Sequence, residues 1–368
     1  MKTLFIKPRL SGSRFDEHSL PLEVLKDWAA FEELVLEVAR SVYLQNNPTR
    51  KQVPRGFAEG FSLHLSGVEA GSAVPVIDRL IPDGMLPFAD DIFAVARNLV
   101  LLTISAVTIG QPIPVEFPRE LLGYFDKFGK SLRANESVEL SAPGQAVPVL
   151  YDKAVRKKLV LLGGAREYRA TAELRGWVSE VNVEKQSYIL KLVNGDRLPG
   201  QFAPEIRKTV VAALDEYEES KVLVRGIVIY DQGDRPRKIE QTAHIELLDA
   251  NDVPGRLDEL ALIKDGWLEG GGTAPSREGM NWLAEEWTGS YPGDLPNPFV
   301  YPTPEGNVQL EWTLGQWEVA AEIDFKTRRA FLFAVHTETE ETHDGETDLR
   351  AAAGWESLAL FVRNHLTA

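Results

Sequence analysis

Between residues 21 and 45, Trp28, Phe31, Val35, Val38 and Val42 recur at spacings of three and four, while Glu32, Glu33 and Glu37 fall opposite. That pattern predicts an amphipathic helix, with Ser19 able to cap it and Pro21 suited to its first turn. A short strand over residues 3–6 precedes it. A polar breaker over residues 46–55 holds Pro48 and Pro54. Residues 57–68 read as a strand, because Phe61, Leu63 and Leu65 alternate with Ser62, His64 and Ser66. The longest apolar run, residues 92–109, comes close to bilayer length, but it contains Arg97 and Asn98. A charge at mid-span costs several kcal/mol, so residues 87–109 are expected to form a buried core helix, with Asp90 and Asp91 favouring its N-terminus. A short helix over 118–128 stopped by Gly129, a strand over 137–140, and a helix over 152–162 capped by Asp152 complete the first region.

The middle of the chain reads as strands over 172–183, 187–193 and 197–202, a helix over 204–217, and strands over 221–230 and 238–248. Asn194-Gly195 marks a two-residue hairpin. Residues 249–275 look like a polar connection, with Gly270-Gly271-Gly272 inside it. A helix over 276–287 follows. Three strands come next, in which Val308, Leu310 and Trp312, then Trp317, Val319, Ala321 and Ile323, then Phe331, Phe333 and Val335 alternate with their neighbours. A last helix over 348–365 presents Trp355, Leu358, Phe361 and Val362. Trp282 and Trp287 lie five apart on the earlier helix, so one of them is expected to be exposed to a partner.

Charge divides these parts. Residues 246–368 hold 8 basic and 23 acidic side chains, equal to the whole chain's net charge of -15, whereas residues 151–245 hold 17 basic and 14 acidic. An acidic end module is expected to engage a basic partner or to repel nucleic acid. Its candidate residues are Glu338, Glu340, Glu341, Asp344 and Glu346, in a run with His336 and His343 that matches no zinc-helix spacing. There are no cysteines, which removes disulfides, thiolate metal sites and cysteine nucleophiles and fits a reducing cytoplasm. No signal peptide is expected over residues 1–9. There is no Gly-x-Ser-x-Gly elbow, no Walker loop and no Gly-x-Gly-x-x-Gly after a strand, so no cofactor, metal or catalytic set is expected.

The middle element order, three strands, helix, two strands, resembles the oligonucleotide/oligosaccharide-binding (OB) barrel, with an SH3-like barrel as the alternative. That resemblance implies a single-stranded nucleic-acid surface, for which Arg175, Trp177, Tyr188, Lys191, Arg225, Arg237 and Lys238 are the candidates. The stretches Phe299, Pro302-Thr303-Pro304-Glu305-Gly306 and Val308-Gln309-Leu310-Glu311-Trp312, with Phe61-Ser62-Leu63 and Gly71-Ser72, resemble multi-module bacterial proteins of toxin–antitoxin and phage-defence gene neighbourhoods. The chain is therefore expected to be α+β and multi-domain. The expected parts are an α/β region over 1–163, a small OB-like or SH3-like barrel over 164–250, a linker over 251–275, and an acidic α-β-β-β-α antiparallel layer over 276–368. The expected function is that of a cytoplasmic, non-catalytic antitoxin or defence accessory that masks or scaffolds a protein partner. Nucleic-acid binding through the barrel and an enzyme with a non-local site are the alternatives, and no membrane association is expected.

Overall fold

The computed structural model describes residues 2–15, 19–69, 73–81, 91–133, 135–145 and 147–366. The fold is α+β. In chain order the first elements are β1 (Lys2–Ile6), β2 (Arg9–Ser11), α1 (Leu22–Asn46), β3 (Leu63–Glu69), β4 (Val74–Leu80), α2 (Ile92–Thr108), β5 (Ser137–Leu140), β6 (Val149–Asp152) and α3 (Lys153–Leu162). The barrel strands are β7 (Glu167–Asn182), β8 (Ser187–Leu192), β9 (Arg197–Gln201), β10 (Val222–Asp231) and β11 (Pro236–Leu247), with α4 (Arg207–Asp215) between β9 and β10. Then come α5 (Val253–Leu260), α6 (Arg277–Ser290), β12 (Phe299–Pro302), β13 (Val308–Leu314), β14 (Trp317–Asp324), β15 (Arg329–His336), β16 (Thr342–Asp348) and α7 (Ala352–Leu366). Contacts divide the chain into two compact units, Met1–Ala172 with Gly226–Gln241, and Glu173–Arg225 with Thr242–Ala368.

In the first unit, α1 buries Trp28, Phe31, Leu34, Val35, Val38 and Val42, the stripe its spacing predicts. Its start departs from expectation. Pro21 occupies the N-cap without a side-chain hydrogen bond, so Ser19 does not cap the helix. The expected cap of α3 forms, and at α2 an acidic residue expected to favour the N-terminus caps it. The Asp91 carboxylate accepts from Phe93 N–H, and that of Asp152 from Val155 N–H; Asp90 lies outside the described residues. Arg97, inside the apolar run, is buried and donates 2.7 Å to the Phe5 carbonyl, with its guanidinium over the Phe5 ring. That partner makes a charged residue tolerable in a core helix. Among the described residues no helix is long and apolar enough to cross a membrane. Two three-stranded sheets, β1-β4-β3 and β2-β5-β6, accompany the helices. The strand expected over 57–68 begins only at Leu63 and exposes Leu65, because it forms a sheet edge.

The barrel is closed in the order β10-β11-β9-β8-β7. Numbering its strands from first to fifth, the circle runs first, second, third, fifth, fourth, with a helix between third and fourth. This is a closed five-stranded layout with the helix where the expected element order put it. Asn194-Gly195 turns β8 into β9, with Gly195 at φ +88°.

The last part differs most from expectation. The stretch expected to be a polar connection holds α5, capped by Asp252, and buries Val253, Leu257 and Leu260 in the C-terminal core. The sheet has five strands, not three, in the simple antiparallel order β12-β13-β14-β15-β16. The second half of the acidic run after His336 becomes β16, because residues 342–348 pair along β15 from Val335↔Thr342 to Arg329↔Asp348.

Candidate functional site

Alternation divides the C-terminal sheet into two unlike faces. Val308, Leu310, Trp312 and Leu314 on β13, Trp317, Val319, Ala321 and Ile323 on β14, and Ala330, Leu332 and Ala334 on β15 are buried with residues of α5, α6 and α7 in one core. Large residues meet small ones across strands: Ala321 faces Leu332, Val319 faces Ala334 and Ile323 faces Ala330. That interdigitation fixes the register, since a one-residue slip would exchange the two faces.

The same register builds the outer face. One cross-strand row reads Phe299, Glu311, Ala320, Phe333, Asp344 from β12 to β16, and the next reads Tyr301, Gln309, Glu322, Phe331, Glu346. Phe299 is 51% exposed, Tyr301 43%, Phe331 45% and Phe333 47%. Single exposed apolar residues are ordinary, but two aromatic pairs in adjacent rows form a patch. At a strand spacing of about 4.8 Å, the Phe299–Tyr301 ridge on β12 stands roughly 14 Å from the Phe331–Phe333 ridge on β15. Between them lies a floor of Glu311, Gln309, Ala320 and Glu322, with Glu318 one row further on. Asp344 and Glu346 lie outside the second ridge. Beside Phe331 on this face lies Arg329, whose Nη1 is 2.7 Å from Glu346 Oε1. Near it, the Arg350 guanidinium holds the Asp348 carboxyl well below the usual range through paired hydrogen bonds.

At the far end of β15 the turn carries Glu338, Glu340 and Glu341, all exposed. It is held in shape. His336 Nδ1 accepts from the Glu338 and Thr339 N–H groups at 3.3 and 3.2 Å. Below it, Trp317 is 4% exposed and is ringed by His336, His343 and His365, the His343 ring stacking on it at 4.9 Å. His365 Nδ1 lies 2.7 Å from the Phe361 carbonyl and donates to it, and His365 Nε2 lies 2.9 Å from His343 Nδ1. His343 Nε2 reaches Glu341 at 3.2 Å. This chain clamps β16 and its turn to α7. Among the described residues, no group of three or more His, Cys, Asp or Glu side chains is placed to hold a metal ion.

The structure brings Asp344 and Glu346 into the outer face and sets Glu338, Glu340 and Glu341 at one end of the same sheet. It removes both tryptophans from the surface. Trp282 is 8% exposed and Trp287 5%, because α6 is covered both by the sheet core and by α5. Arg328 lies over the Trp282 ring, and Trp287 stacks on Tyr291 and meets Trp355 edge-on. The two therefore fill the core, and the expectation of an exposed anchor is corrected. Sequence reasoning missed Phe299, Tyr301, Phe331 and Phe333. For the last two the signal was the alternation along 329–336, in which either set, Phe331/Phe333 or Leu332/Ala334, could have faced inward.

The nucleic-acid candidates fare differently. Tyr188 is 2% exposed and bonds Thr242 Oγ1 at 2.8 Å, so it cannot stack on a base; it fills the barrel because it is an inward position of β8. Arg225 is held by Glu173 at 3.0 Å and Glu246 at 3.8 Å, and Arg175 faces Asp252 at 3.6 Å. Trp177 is half-buried opposite Lys191 and under the Lys221 ammonium. Lys191 donates to the Tyr217 hydroxyl at 3.0 Å, which raises its pKa. Arg237 and Lys238 are exposed on β11. Charges already matched inside the fold offer little counterion release to a phosphate backbone.

Compared with known proteins, the chain matches no family model, no curated protein and no solved structure.

Proposed function

We propose that this chain is a non-catalytic, cytoplasmic interaction protein that masks or scaffolds a basic protein partner, as antitoxins and phage-defence accessory components do. The observation that supports this reading most directly is the outer sheet face, where exposed aromatic pairs stand among Glu311, Glu318, Glu322, Asp344 and Glu346. Aromatic side chains supply buried contact area at an interface, and a field of one sign steers and selects an oppositely charged partner. The turn carboxylates of Glu338, Glu340 and Glu341 extend that field to one end of the sheet.

The test is capture of partners from the native host by the full chain, with and without nuclease, set beside a variant carrying Glu338→Lys, Glu340→Lys, Glu341→Lys and Asp344→Lys. A nuclease-resistant protein partner lost by about tenfold or more in the charge-reversed variant supports the reading. Undiminished capture by that variant removes it. The OB-like element order of the closed barrel favours one second reading, single-stranded nucleic-acid binding. It requires that capture be abolished by nuclease and weakened by Arg237→Glu with Lys238→Glu.

A further inference from the structure

We infer that the outer face of the C-terminal sheet is built for an arginine-bearing segment of its partner, laid along the strands between the two aromatic ridges. The inference rests on the protein-partner reading and narrows it from basic to guanidinium.

Three observations carry it. First, three of the four exposed rings have a carboxylate one strand away, Phe299 beside Glu311, Phe333 beside Asp344 and Phe331 between Glu322 and Glu346, while Tyr301 faces Gln309. A guanidinium can lie flat on a ring while its N–H fork takes a carboxylate, whereas an ammonium is a hydrated point charge that gains less from either. Second, the floor between the ridges is low and acidic. Ala320 sits at its centre, with Glu311 on β13 and Glu322 on β14 beside it. The two carboxylates are diagonal neighbours, Glu311 accepting from Gln309 Nε2 at 2.6 Å, and a partner's cation set between them would relieve their mutual repulsion. Third, the module already accommodates guanidinium groups in both of these ways. Arg329 pairs with Glu346 at the edge of the face, and Arg328 lies 5.1 Å from the Trp282 ring centre. An incoming arginine at Phe333 and Asp344 would combine the carboxylate pairing of Arg329 with the ring contact of Arg328.

The experiment uses the full chain and two synthetic peptides, one alternating arginine with glycine and the other alternating lysine with glycine. Binding is read by fluorescence anisotropy at physiological salt. A preference for the arginine peptide of about fivefold or more is expected, from one to two exposed cation–π contacts. Phe331→Ala with Phe333→Ala should reduce that preference to near unity. Glu322→Gln with Asp344→Asn should weaken both peptides together. Because the rings and Asp344 are exposed and Glu322→Gln keeps the shape of a half-buried side chain, circular dichroism melting of each variant should match that of the parent. Equal affinity for the two peptides, a lysine preference, or an arginine preference that survives loss of both phenylalanines overturns the inference. Failure of both peptides to bind also overturns it. The wider reading is judged separately, by whether charge reversal abolishes capture of the native partner.

Discussion

Replacing Asp27 with asparagine should stabilise the protein above neutral pH and leave it nearly unchanged in acid. Asp27 lies on the buried face of α1 and is 5% exposed. It accepts hydrogen bonds from Ser131 N–H at 3.2 Å and from the Ser131 hydroxyl, and it lines a cavity of about 10 Å³ with Trp28, Phe128, Leu132 and Tyr151. Burial pushes its pKa up from 3.8 to about 6, against the lowering effect of the Ser131 bonds and of Arg156. The folded state therefore holds this proton more tightly than the unfolded chain does. Its contribution to stability is complete below about pH 4 and is lost as pH rises through about 6. A shift of about two units corresponds to roughly 3 kcal/mol between those limits. Asparagine keeps the acceptor oxygen that Ser131 requires, and the cavity can admit about one water to serve the new amide. Urea unfolding of the parent and Asp27→Asn from pH 4 to pH 8 should show the variant gaining up to about 3 kcal/mol at pH 8, with the curves converging near pH 4. A variant less stable than the parent at pH 8, or a difference that does not change with pH, would refute the assignment of a buried, reluctantly ionised carboxylate.

Two further substitutions test how the site and the barrel are held. Trp317→Ala removes the ring on which His336, His343 and His365 pack and should cost about 3–5 kcal/mol in urea unfolding. Gly200→Ala should cost about 1–3 kcal/mol, because a Cβ there would lie 2.6 Å from the Tyr188 ring, and a second substitution, Tyr188→Leu, should recover part of the loss.

Much of the local architecture was legible in the order of residues. The stripe of α1, the caps at Asp91 and Asp152, the Asn194-Gly195 hairpin and the strand-and-helix order of the barrel all follow from interactions within a few positions along the chain. Some short strands were legible, β1 and β5 among them, and others were not. Three residues of β2 and four each of β6 and β12 carry too little periodicity to register, and they exist because a partner strand supplies their hydrogen bonds. For the same reason the second half of the acidic run after His336 becomes β16 beside β15.

Composition and periodicity determined that the chain alternates helices and strands, that its last third is anionic, and that residues 329–336 have two chemically distinct sides. Tertiary structure decided which side is buried. Alternation is symmetric under a flip, and the choice is made by Ala321 and Val319, which accept Leu332 and Ala334 against the helices and turn Phe331 and Phe333 outward. It also buried Trp282 and Trp287, and it matched Arg225 and Arg175 with carboxylates distant in sequence. Burial and charge pairing depend on which surfaces meet across long chain separations, and spacing along one segment carries no record of those meetings.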